Sequence, residues 1–159
     1  MDSIRSFTTI IKGFGTLIIR FGYVSTSLTL WETSTSRTIT FTRYKKLTKE
    51  ERKEKLLSIT KENLQNTIRT LLFNAAYQIP LYRFSSSIVP LATHPEVRWN
   101  FIDPFINEWK EIGQIVTEHK MRVSFHPNQF TLFTSPKKEI TENSIIDILP
   151  LSNVSCYGD

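Results

Sequence analysis

Three short apolar runs, separated by two segments of helical spacing, set the tightest limit on how this chain folds. The runs are Leu17–Val24 (LIIRFGYV), Ile79–Ser85 (IPLYRFS) and Met121–Phe125 (MRVSF). Each is short and rich in β-branched and aromatic residues, as strands are. Between the first two, Thr48 opens TKEE, a capping-box pattern with Glu51 three residues beyond the cap. Leu57, Leu64, Ile68, Leu71 and Ala75 then recur on one helical face, predicting a helix to about Gln78. Between the second and third, Pro104 suits a first helical turn capped by Asp103. Phe105, Ile106, Trp109, Ile112, Ile115 and Val116 line the buried side of a helix running to about Lys120.

Strand, helix, strand, helix, strand argues for parallel βαβ units, because parallel strands need long crossovers and a meander does not. Functional side chains in such sheets gather at the carboxyl ends of the strands. Tyr23 and Ser25 follow the first strand, Arg83 and Ser85 close the second, and His126 follows the third. Gly22 sits where two backbones approach closely. The polar stretch Ser25–Thr42 is too long for a turn, and loops of that length are often functional. A second long loop, SSSIVPLATHPEV, is pinned by Pro90 and Pro95.

With 159 residues, the chain falls short of the ~250 of a complete eight-stranded α/β barrel. A formal charge of +5 is compatible with a polyanionic partner without demanding one. The single cysteine, Cys156, excludes an internal disulfide. No apolar run reaches the ~18 residues that span a bilayer. The opening MDSIRSFTTIIKGFGTL is interrupted by Lys12 and Gly13 and lacks a cleavage pattern, so a cytoplasmic protein is the expectation.

The chemistry-bearing residues each admit two readings. A histidine at a strand end, such as His126, is commonly a hydrogen-bonded structural residue, and neutral imidazole is also a frequent metal ligand. His94 lies in a loop that can face the same edge, whereas His119 near a helix end suits the helix dipole. Gln129 and Phe130 either continue the apolar packing of Leu132 and Phe133 or offer an amide and a stacking face to a duplex. The mixed-charge run Arg43–Lys55 reads as a solvated face with pairs such as Glu51–Lys55, or as a phosphate contact.

Four separated segments, RFGYVSTSLTLWE, ITFTRYKKLTKEERKEKLL, IPLYRFSSSIVPLATHPEV and SFHPNQFTLFTSP, closely resemble the opening part of bacterial UV damage endonucleases. The likeness runs from about Ile18 to Asp147. It implies an α/β fold that is a partial TIM-type (β/α) barrel of roughly the first three βα units. It also implies metal-dependent nicking of UV-damaged double-stranded DNA on the 5′ side of photoproducts, with divalent ions, manganese most commonly. By resemblance His126 is a metal ligand, and Gln129 and Phe130 probe the duplex, with Phe where some members carry Tyr. Tyr23 matches a tyrosine near the lesion pocket, and Ser27 falls where some members carry a damage-contacting asparagine. His94 matches a histidine of an "HP" loop near substrate.

On this reading residues 1–17 form an extension outside the likeness, 18–147 the partial barrel domain, and 148–159 an aberrant tail. The tail, which contains LPLSNVSCYGD, departs from the family's next helix and raises the expectation of a reading-frame shift near Ile148. The barrel units that supply most metal ligands are not matched. A non-catalytic, weakly DNA-binding or unstable remnant is therefore the competing expectation.

Overall fold

The computed structural model describes residues 6–11, 15–92, 94–126, 136–138 and 141–142, with backbone alone for 6–11, 15–18 and 126. Its centre is a parallel three-stranded sheet of β3 (Gly22–Val24), β4 (Leu81–Ser85) and β5 (Arg122–His126), adjacent in chain order. β4 takes the middle, with Tyr82 between Tyr23 and Val123, and Arg83 between Val24 and Ser124. The crossovers are α2 (Lys49–Ala76) and α3 (Ile106–Glu118), preceded by a short helix α1 (Phe41–Lys45). These elements match the predicted order, with ends displaced by a few residues.

The first apolar run is not one strand. It divides between β2 (Gly15–Arg20), which pairs antiparallel with β1 (Ser6–Ile11), and β3. The segment set apart as an extension thus contributes a hairpin strand of its own, its Thr and Ile content favouring extended backbone. The break falls before Gly22, and the close approach there is severe. A Cβ on Gly22 would lie 1.9 Å from the carbonyl oxygen of Leu81, so any side chain forces β3 away from β4.

Alternation along β4 decides which face is covered. Tyr82 and Phe84 are buried, whereas Leu81, Arg83 and Ser85 are half-buried. Tyr82 and Phe84 join Leu64, Ile68 and Leu71 of α2 and Trp109, Ile112 and Ile115 of α3 in one core cluster. Both crossover helices therefore cover the same face. The loop after β4, read as a long loop pinned by Pro90 and Pro95, also enters the core: Ile88 and Val89 are buried, and Trp99 and Trp109 donate their indole N–H groups to the carbonyls of Pro90 and Phe101. Burial is possible there because the indoles satisfy carbonyls that water would otherwise serve.

The capping box of α2 forms as expected, Glu51 N–H donating to Thr48 Oγ1 at 3.3 Å and Thr48 N–H to the Glu51 carboxylate at 2.8 Å. That use of Glu51 takes the place of the anticipated Glu51–Lys55 pair, and hydrogen bonding to the carboxylate from the Thr48 backbone N–H and then from the Thr48 side chain holds its carboxyl below its ordinary pKa. At the other helix, Asp103 is not the cap. It lies in a 3-10 turn, and the Asn100 amide oxygen accepts from Ile102 and Asp103 N–H at 3.0 and 3.2 Å. Asn100, three residues before Asp103, closes the chain ahead of a turn tightened by Pro104, and neither that turn nor α3 carries a side-chain cap.

Both long helices end alike, in a manner no glycine announces. Gln78 and Lys120 adopt left-handed φ of 54° and 51°. Ile79 N–H reaches Asn74 O and Gln78 N–H reaches Ala75 O, while Met121 and Lys120 make the equivalent bonds to Val116 and Thr117. This is the Schellman pattern with an apolar residue following. A β-carbon in the left-handed region costs about 1–2 kcal/mol, partly offset by the ~0.5–1 kcal/mol entropic penalty of glycine. The double variant Gln78→Gly/Lys120→Gly is therefore expected to gain about 1 kcal/mol, read as a higher urea midpoint with unchanged slope.

Candidate nucleic-acid interface

The residues after β3 are built outward from one exit point. Ser25 N–H still bonds to Arg83 O at 3.0 Å, as a strand residue would, but its φ of 59° turns the chain off the sheet. Its carbonyl is then held twice, by the Tyr82 hydroxyl at 2.7 Å and by Thr35 Oγ1 at 2.9 Å. The long polar stretch between is not a plain loop. Ser27 caps a 3-10 turn, Leu28–Leu30, and Thr40 caps α1.

What ties this stretch down is a row of buried polar side chains on α2. The amide of Asn63, fully buried, accepts from Arg37 N–H at 2.9 Å and donates to Arg37 O at 2.8 Å and Ile88 O at 3.0 Å. Asn66 donates to Ser34 O at 2.9 Å. Thr67 and Thr70 return their hydroxyls to the helix at Asn63 O and Asn66 O. Sequence reading saw one apolar stripe on α2 and missed this second one. Its signal was present: Asn63, Asn66, Thr67, Thr70 and Asn74 fall at i, i+3, i+4, i+7 and i+11, one helical face.

The site residues suggested by the sequence separate under this geometry. Tyr23 is half-buried and donates its hydroxyl to Asn74 Oδ1 at 2.6 Å, with its ring edge-on to Tyr82 at 5.3 Å. It shares the row and the core cluster of Tyr82, so its phenol is bonded on the helix side of the sheet. Ser27 accepts from Thr29 N–H through its hydroxyl at 3.3 Å, a local capping bond. His94 is drawn to the β3–α2 connection by stacking on Phe41, with ring centroids 3.9 Å apart and planes 25° from parallel. Its Nδ1 accepts from Glu96 N–H at 3.2 Å, so the proton of the neutral ring lies on Nε2. The connections after β3 and β4 therefore meet above the carboxyl ends of the strands.

His126 ends β5 with its backbone in register with Ser85, at that same edge. Gln129 and Phe130 lie outside the described residues. Arg83, two residues before Ser85 on β4, has a buried Nε with no hydrogen-bond partner among the described residues. Among the described residues no three His, Cys, Asp or Glu side chains converge, so they do not by themselves make a metal site.

Residues 19–153 match the family model described as UV-endonuclease UvdE. The chain belongs to that family. A UV DNA damage endonuclease of Bacillus pumilus (strain SAFR-032) is 67% identical over 129 residues, which are 81% of this chain and 40% of that protein. Another of that name from Bacillus cereus (strain 03BB102) is 58% identical over 132 residues, 83% of this chain and 42% of the relative. The crystal structure of SacUVDE superposes with a TM-score of 0.74 at 27% identity, over 86% of this chain and 44% of that one. The chain thus spans about two-fifths of the length of the relatives it matches. No helix among the described residues is long and apolar enough to cross a membrane.

Two outcomes follow from the geometry. Asn63→Ala removes the bonds to both part-buried backbone groups of Arg37 and to the buried carbonyl of Ile88, and a buried group left unsatisfied costs about 1–3 kcal/mol. A loss of about 2–4 kcal/mol in urea unfolding is expected, with the slope retained. Burial also pushes the Tyr82 phenol from its ordinary 10.0 up to about 12, and burial raises Tyr23 as well. The folded state thus favours the neutral phenols. Their contribution is complete below pH 10 and is lost as pH rises from 10 towards 12, while the unfolded chain ionises first. Denaturant midpoints measured across that window are expected to fall less steeply in Tyr82→Phe than in the wild type.

Proposed function

We propose that this protein serves DNA repair in the cytoplasm, engaging UV-damaged double-stranded DNA at the carboxyl edge of its sheet. In this reading the fold is the first part of a TIM-type (β/α) barrel. The sequential order β3, β4, β5, with both crossover helices on one face, is the arrangement such a barrel repeats. The reaction is hydrolysis of a phosphodiester on the 5′ side of a photoproduct. A divalent ion, manganese by resemblance, supplies Lewis acidity and an activated water for that chemistry. The family match across residues 19–153 is the observation that carries the reading.

This chain's own residues have defined parts in it. His126 contributes one metal ligand, with the rest drawn from outside the described residues. Gln129 and Phe130 enter the duplex where nucleotides leave the stack, a step that costs less at a lesion because the stack is already weakened. His94, placed by Phe41, offers an imidazole N–H to a phosphate. Ser27 offers its hydroxyl beside the lesion. Tyr23 acts through position: its bond to Asn74 fixes the end of β3 from which the contacting turn departs.

The short span relative to the curated relatives favours a second reading, in which this polypeptide holds damaged DNA without cutting it. One assay separates the two: purified protein, manganese chloride and an end-labelled duplex carrying a single photoproduct. The expected outcome is tighter binding to the damaged duplex than to its undamaged match. Nicking 5′ to the lesion that His126→Ala abolishes supports the endonuclease reading, and lesion-selective binding without nicking supports the second. Equal affinity for both duplexes removes lesion recognition from either.

A further inference from the structure

Of the exposed large apolar side chains among the described residues, two stand out from the rest by their exposure. Leu28 is 96% exposed and Trp31 78% exposed; Leu28 opens the 3-10 turn that follows β3 and Trp31 is its C-cap. The other two tryptophans are used as tryptophans usually are: Trp109 is buried, Trp99 packs against the core, and both indoles donate hydrogen bonds. Isolated surface apolar residues are ordinary, but two in one turn at a strand's carboxyl end mark a place of contact.

That turn is held firmly. Ser27 caps its start, and the Thr33 N–H and hydroxyl both donate to Leu30 O, at 2.9 and 2.7 Å. Immediately beyond, Thr35 bonds back to Ser25, Asn66 grips Ser34, and Asn63 pairs with Arg37. The indole therefore projects from an anchored backbone, and binding to it does not require ordering a loose loop. The charge of the segment itself is one-sided. Between Ser25 and Leu47 the chain carries Arg37, Arg43, Lys45 and Lys46 against Glu32, a net of +3, with Arg37 paired to Glu62 at 3.1 Å. A flat aromatic face within a basic segment is what single-stranded and unstacked nucleic acid bind, with cations along the phosphates and the ring on a base.

We propose that Trp31, with Leu28 beside it, is a nucleobase-contacting residue whose indole stacks on an exposed or weakly stacked base of the bound DNA. This rests on the DNA reading above and adds to it a contact from the turn after β3, independent of His126, Gln129 and Phe130. Base–aromatic stacking of the usual strength makes Trp31→Ala bind about 5- to 100-fold more weakly, whereas Trp31→Phe, which keeps a ring, stays within about threefold.

The test measures affinity of the full chain and its Trp31→Ala, Trp31→Phe and Leu28→Ala variants for a fluorescein-labelled duplex with one photoproduct and for its undamaged match. Circular dichroism accompanies each variant. In parallel, tryptophan emission of the wild type minus that of Trp31→Phe isolates the Trp31 signal during titration with unlabelled damaged duplex, a readout that does not depend on Trp31→Ala folding. The expected result is the stated loss for Trp31→Ala, rescue by Trp31→Phe, and quenching of the Trp31 signal at saturation. Wild-type affinity in Trp31→Ala, or an unquenched Trp31 signal on saturated protein, overturns the proposal and leaves the DNA reading standing. A wild-type chain that binds neither duplex overturns both. A dimer in sedimentation that Trp31→Ala dissociates assigns the turn to a second copy of the chain and overturns the proposal as well.

Discussion

The carboxamide of Asn63 stands in for a strand partner. By accepting from one backbone group of Arg37 and donating to the other, it does for an irregular segment what a neighbouring strand does within a sheet. The same amide reaches Ile88 O, so one buried side chain fixes the connection after β3 and the connection after β4 together. Asn63 and the Ile88 carbonyl meet in a buried bond that water cannot replace, whereas the bonds to Arg37 lie at the part-buried margin of an exposed residue. The placement of everything at the sheet's carboxyl edge follows from that bond set.

Around this fixed point α2 works on two sides. Its leucines and isoleucines close the core against α3 and β4, a non-directional contribution that grows with area removed from water. Its asparagines and threonines hold backbone, a directional contribution that sets geometry. Tyr23 extends the second role, since its hydroxyl is bonded to Asn74 and its ring to the edge of Tyr82. A turn displayed to solvent by such an anchored segment keeps a defined shape, as a stacking surface requires. The His94–Phe41 contact brings the second connection against the first, so both present themselves from one side of the sheet.

Much of the architecture was legible in the chain. The capping box of α2, the apolar stripes of both helices, the close approach at Gly22 and the parallel order of the strands all depend on neighbours within a few residues or on simple periodicity. Legibility failed where a choice was settled at a distance. Nothing local separates Leu17–Arg20 from Gly22–Val24, because both favour extended backbone; only pairing, to Ser6–Ile11 for one and to β4 for the other, divides them. Asp103 looked like a helix cap, but it falls inside a 3-10 turn at Pro104, and α3 begins at Ile106 without a side-chain cap. Gln78 and Lys120 gave no glycine signal, since the helix ends are stabilised by backbone bonds to Ile79 and Met121 despite the left-handed residue.

The same division holds for function. Family membership, the basic character of the segment after β3 and the histidine that closes β5 belong to the order of amino acids alone, because residue identity and spacing carry them. Tertiary packing decided which of the suggested side chains share a surface. Tyr23 turned towards α2, where Asn74 supplies an acceptor for its half-buried phenol; Leu28 and Trp31, assigned no role in the sequence reading, stand in solvent. Burial and hydrogen-bond satisfaction are properties of the assembled molecule, and no local pattern in the chain encodes them.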